Sequence, residues 1–104
     1  MLFVLNTPVL TSHGIFKFAP LSVDEAKALL AGGFQSAVGH AATAEVMTGL
    51  LGIQIPVDRG QIFMQPGDRA VVFRLLTRLP EGRVLNREEL EALPYEIGLL
   101  TRLD

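Results

Sequence analysis

The chain has 104 residues, about half of them hydrophobic, a formal net charge of −2 and no cysteine. That length fits one domain with a core of its own, although at this size oligomerisation helps. Without cysteine there is no disulfide, thiolate nucleophile or zinc-thiolate site, and the acidic balance excludes a basic blanket for duplex nucleic acid.

Taken in chain order, Leu2–Leu5 is a short apolar run closed by Asn6 and Pro8, which reads as a buried strand. The same opening run has no basic stretch before it and is broken by Asn6 and Pro8, so it does not read as a signal peptide. No apolar run approaches the ~20 residues that span a bilayer. The expectation is a cytoplasmic protein (host-cell cytoplasm if virus-encoded) with no membrane partner. "GIFKFAPLS" is expected to form a second strand beside the first. "SVDEAKALLAGG" predicts a helix: Ser22 and Glu25 make a capping box, Gly32 and Gly33 stop it, and Val23, Ala26, Leu29 and Leu30 form its apolar face.

Phe34–Val38 is a short connection with some strand character. The stretch "SAVGHAATAEVMTGLLG" then predicts a second helix, with Gly39 and His40 at its start and Gly52 at its end. Ala44, Met47, Leu50 and Leu51 would be its buried face. "QIFMQPGDRAVVFRLLTR" reads as a hairpin in which "QPGD" joins Ile62–Met64 to Ala70–Leu76. "RLPEGRVL" is a loop, Asn86 with Glu89 caps the short helix "REELEAL", Pro94 ends it, and "YEIGLLTRL" is a last strand. The whole chain, 1–104, is therefore expected to be one α/β (α+β) domain: a mixed sheet of about five strands flanked by helices.

Two groups of residues are candidates for chemistry. His40 sits where a helix start presents free N–H groups and a positive dipole end, both attractive to phosphate. Gly39, Ala41 and Ala42 leave room for a ligand, and Thr43 lies one turn on as a hydrogen-bond donor. The competing reading of His40 is a helix-start histidine bonded only to solvent or backbone. Arg78 and Glu81, in the loop "TRLPEG", form the second group, with Arg74 and Arg59 as further cations; each alone reads better as a solvated surface charge than as a functional group. His13, beside Gly14, reads as plain surface. There is no phosphate-binding glycine loop, no metal-ligand spacing and no serine-hydrolase elbow. These residues alone reach a phosphate site with one acid–base histidine and name no reaction.

At these same positions the sequence resembles a known family. "SAVGHAATAEVMTGLLG", "RLPEG" and "YEIGLLTRL" look like the small viral ring nucleases, the type III anti-CRISPR proteins that destroy cyclic tetra-adenylate, which have relatives in bacterial CRISPR loci. The likeness runs over nearly the whole chain and rests on the pair of motifs together: Gly-His at a helix start and Arg-Leu-x-Glu-Gly after a long strand. It implies a homodimer holding cyclic tetra-adenylate at its interface, with no metal or other cofactor. It places the catalytic role on His40, with Arg78 and Glu81 beside it, and ligand contacts on Asn6, Thr43, Arg59, Ile62 and Arg74. Some relatives carry Gln at the position of Arg74 and a hydroxyl residue at those of Ala42 and Val9, departures that bear on ligand contacts and not on the reaction.

The implied chemistry uses the substrate's own 2′-OH as nucleophile, so the protein need only hold it in line and protonate the leaving 5′-oxygen. His40 as imidazolium would supply that proton. The positive helix end opposes the imidazolium, while bound phosphates or Glu81 would favour it. Arg78 would stabilise the extra charge on the phosphorane-like transition state, and the "RLPEG" loop would close over the ring. Two cuts would give linear di-adenylates. The alternatives are a sponge that binds the ring without cutting, a small viral DNA-binding or regulatory dimer, and a structural protein with no ligand.

Overall fold

The computed structural model describes residues 1–6, 13–58, 62–76 and 87–104. Among these residues five strands form one mixed sheet: β1 (Leu2–Leu5), β2 (Phe16–Pro20), β3 (Gln35–Ser36), β4 (Arg69–Leu75) and β5 (Tyr95–Arg102). With them stand three helices: α1 (Val23–Leu30), α2 (Ala41–Leu51) and the short α3 (Arg87–Ala92). The sheet order is β2-β5-β4-β1-β3.

The expected neighbourhood of β1 and β2 is corrected by this order. β1 runs parallel between β3 and β4, with Phe3 opposite Gln35 and Leu5 opposite Val72. β2 lies at the far edge, antiparallel to β5. The reason is burial. All four residues of β1 are buried, as suits an apolar parallel strand covered on both faces. β2 is largely exposed and carries Lys17 and Pro20, residues that belong at an edge.

The hairpin is corrected too. The turn at Pro66–Gly67 forms as expected, with Gly67 at φ 92° and the Asp68 N–H donating to the Gln65 carbonyl at 2.9 Å. Ile62–Met64, however, is not a strand. Over Arg69–Val72, where a hairpin through this turn would begin to pair, both edges of β4 are already taken, by β1 and β5. Met64 instead buries its side chain in the apolar cluster of the sheet's second face, and its carbonyl accepts from Arg102 Nη1.

The alternation of strand residues divides the core. Leu2, Val4, Val71, Phe73 and Ile97 pack with Ala26 and Leu30 of α1 and Ala44, Met47, Leu50 and Leu51 of α2. Phe3, Leu5, Ala70, Val72 and Leu100 form the second cluster with Met64; neither α1 nor α2 contributes to it. α3 lies against α2. Ser22 and Glu25 make the expected reciprocal capping box on α1, each bond 3.1 Å. Gly52 ends α2 in the left-handed conformation, φ 66°, with its N–H on the Thr48 carbonyl. Among the described residues no helix is long and apolar enough to cross a membrane.

Candidate functional site

Three parallel strands, β3, β1 and β4, end at the same edge of the sheet. The chain leaves β3, forms α2 and returns to β4 on the other side of β1. Ligands of open α/β sheets bind beyond such carboxyl ends, where the connections diverge. His40 lies four residues past the end of β3, and Asn6 follows β1 directly.

His40 is the N-cap of α2, with extended backbone (φ −122°, ψ 116°). Its carbonyl accepts the first helical bond, from Ala44 N–H at 3.0 Å, but its side chain makes no capping hydrogen bond and is exposed. The first turn of α2 holds no acidic residue. α1 is the opposite case, with a serine cap and Asp24 and Glu25 in its first turn. The first turn of α2 thus sets no acidic side chain of its own against the positive helix end, beside an imidazole facing solvent.

The connection that carries His40 is stapled to a strap, residues 53–58. Ser36 Oγ donates to the Pro56 carbonyl at 2.5 Å and accepts from Val38 N–H at 3.3 Å. Val38 and Val57 form a parallel bridge, and Asp58 N–H donates to the Val38 carbonyl at 2.9 Å. From the helix side, Thr48 Oγ1 accepts from Ile55 N–H at 3.0 Å and donates to the Ala44 carbonyl at 2.8 Å. Ser36 and Thr48 were not singled out from sequence. Each is a lone hydroxyl among small or apolar residues, and only its contact with the strap, far along the chain, gives it a task.

The remaining candidates divide. Thr43 is half-buried in the first turn of α2, and Asn6 is half-buried at the end of β1. Ile62 packs against the second apolar cluster, as does Ala37 of the His40 connection. Arg74 follows Ala70 and Val72 on the face away from α1 and α2, and its guanidinium meets Glu96 at 2.7 Å. His40, at the start of α2, and Arg74, near the end of β4, therefore lie toward the same end of the sheet. Arg78, Glu81 and Arg59, and with them Val9, lie outside the described residues. His13 is exposed, and its carbonyl accepts from Arg102 Nη2 at 3.1 Å. Among the described residues no group of three or more His, Asp or Glu side chains is placed to hold a metal ion.

This fold, a single α/β domain with α1 and α2 on one face of a five-stranded mixed sheet, is shared with known proteins. Residues 2–97 match the STIV B116-like family, and the chain belongs to it. Protein 26 of Sulfolobus islandicus filamentous virus is 41% identical over 95% of this chain and 89% of its own length. YddF of Bacillus subtilis is 38% identical over 96% of this chain and 95% of its own. ORF117 of Acidianus two-tailed virus is 36% identical over 99% of this chain and 94% of its own. The solved structure of B116 of Sulfolobus turreted icosahedral virus superimposes with a TM-score of 0.85, covering 97% of this chain and 98% of B116 at 21% identity, a likeness of fold.

Proposed function

We propose that this protein is a metal-independent ring nuclease that cleaves cyclic tetra-adenylate, the second messenger of type III CRISPR defence, and works as a homodimer. The observation that carries the reading is His40: an exposed, uncapping imidazole at an acid-free helix N-terminus, beyond the carboxyl end of a parallel strand. A phosphodiester bound there would meet backbone N–H groups and a proton donor together.

The ribose 2′-OH gives up its proton to solvent as its oxygen attacks the adjacent phosphorus in line, the P–O5′ bond breaks, and His40 protonates the departing 5′-oxygen, to be reprotonated from solvent afterwards. Products are a 2′,3′-cyclic phosphate and a 5′-hydroxyl, and two such cuts give linear di-adenylates. Arg78 offsets the negative charge of the transition state, and Glu81 lies in the same loop motif. A ring with four phosphates on a two-fold axis would receive one His40 from each protomer, as a symmetric interface requires.

The test is incubation with cyclic tetra-adenylate in EDTA, wild type beside His40→Ala, with products separated by chromatography. Linear di-adenylate from wild type and a loss of about 100-fold or more in the variant are expected for a general acid. A ring of 2′-deoxyadenylate should remain intact, because the nucleophile is missing. An intact ribo-ring that co-elutes with wild type would make the protein a sponge, and an intact ring without binding would refute the reading.

A further inference from the structure

We propose that the cleft between α2 and the strap 53–58 is a nucleobase pocket that reads the amino edge of adenine; this rests on the nucleotide-ring reading above and assigns the part of the ligand not involved in bond cleavage. The cleft has a volume of about 350 Å³, within the range of small-molecule sites, which begins at roughly 300 Å³. Its floor is apolar: Ala44 of α2 and Ile55 of the strap are both buried. Pro56 and Val57 form an exposed apolar rim, Val57 retaining 47% of its accessibility. Three polar side chains, Glu45, Gln54 and Thr48, also line it; the Thr48 hydroxyl is taken up by Ala44 and Ile55, whereas neither Glu45 nor Gln54 makes a hydrogen bond or ion pair with another described residue.

The chemistry of that lining selects the ligand group. Among the described residues that line it there is a carboxylate and no Lys or Arg, a lining that favours an uncharged ring over a phosphate. An apolar floor and rim suit the face of a flat ring, and the acceptors suit an N–H donor. Adenine offers both. Its 6-amino group is a donor for the Glu45 carboxylate or the Gln54 carbonyl, and its ring nitrogens accept from the Gln54 amide, the pairing by which Gln reads adenine elsewhere. Hypoxanthine, with a carbonyl in place of the amino group, would set an acceptor against the Glu45 carboxylate.

Two features tie the cleft to the reaction. Ala41, which also lines it, follows His40 directly in the chain. The strap wall is fixed to both α2 and the His40 connection, through Thr48–Ile55 and Ser36–Pro56. A base seated in the cleft would therefore hold its phosphodiester in register with the imidazole.

The experiment is calorimetric titration of the wild type with two uncleavable 2′-deoxy rings, one of four adenylates and one of four inosinates, repeated with Gln54→Ala and Glu45→Gln. Cleavage of the ribo-ring and thermal melting are measured alongside. Wild type is expected to favour the adenine ring by about tenfold, and Gln54→Ala to lose most of that preference. In cleavage, KM should rise with kcat nearly kept, which a misfolded variant would not show. Equal affinity of wild type for both rings, with cleavage intact, would overturn the pocket and leave the nuclease standing. Retained preference in both variants would likewise overturn it. A preference without any cleavage would keep the pocket and remove the nuclease, and binding of neither ring would remove both.

Discussion

Thr48→Val is the sharpest test of how the His40 connection is held. The substitution keeps the shape of the side chain and, since Thr and Val have similar helix propensities, changes little in the helix itself. It removes the acceptor for Ile55 N–H, now 3.0 Å from Thr48 Oγ1, at a residue only 1% exposed. A buried donor left without a partner costs about 1–3 kcal/mol. The lost bond to the Ala44 carbonyl adds little, since such back-bonding is at best neutral in a helix. A methyl in place of the half-buried hydroxyl returns at most about 0.8 kcal/mol. The net expectation is a destabilisation of about 1–2 kcal/mol, read as a fall in Tm of roughly 4–9 °C for a domain of this size. Urea and thermal unfolding of wild type, Thr48→Val and Thr48→Ser check it. Thr48→Ser keeps the hydroxyl and should stay within about 1 kcal/mol of wild type. A valine variant as stable as wild type, with the serine variant weaker, would show that the wall is held by packing and not by this bond.

Two further expectations concern charge. Glu96→Gln frees the Arg74 guanidinium from an exposed pair, so stability should change by less than about 1 kcal/mol; binding of the four-phosphate ring should tighten several-fold at low salt, and unchanged affinity would remove Arg74 from the ligand's surroundings. Glu25 is held below its ordinary 4.5 by the Ser22 backbone N–H and then the Ser22 hydroxyl, and Asp68 below its ordinary 3.8 chiefly by the Gln65 backbone N–H, helped by the N-terminal amine. Both are depressed carboxylates, so the stability they contribute is fully present above those ordinary values and is lost as pH falls through the lower folded ones. Melting temperature should drop on acidification below about 4.5, less steeply in Glu25→Gln and Asp68→Asn, and parallel curves for all three proteins would contradict this.

What the sequence made legible was local. The capping box at Ser22, the glycine stop at Gly52 and the buried face of α2 depend on residues within a few positions of one another, and each formed as read. Strand pairing is non-local, and there the reading failed. Nothing within Leu2–Leu5 states that its partners are Gln35–Ser36 and Arg69–Val72, and nothing in Ile62–Met64 shows that both edges of β4 are occupied. The candidate site follows the same division. His40 could be placed at a helix start from its neighbours, whereas the strap opposite α2 became visible only through Ser36 and Thr48, whose partners are 20 and 7 residues away. That Arg74 would meet Glu96 required knowing the register of β4 against β5.

The place of β5 in the sheet also orders the life of the chain before it is folded. Among the described residues β2 has one neighbouring strand, β5, which connects it to the block formed by β4, β1 and β3. While the chain is being synthesised, β2 therefore emerges early and waits without a pairing partner until Tyr95–Arg102 follows. Closing so long a loop before any contact repays it slows folding. The aromatic residues Phe16 and Phe18 stand on the waiting strand, and Lys17 between them supplies the charge that discourages two such strands on neighbouring ribosomes from pairing with each other.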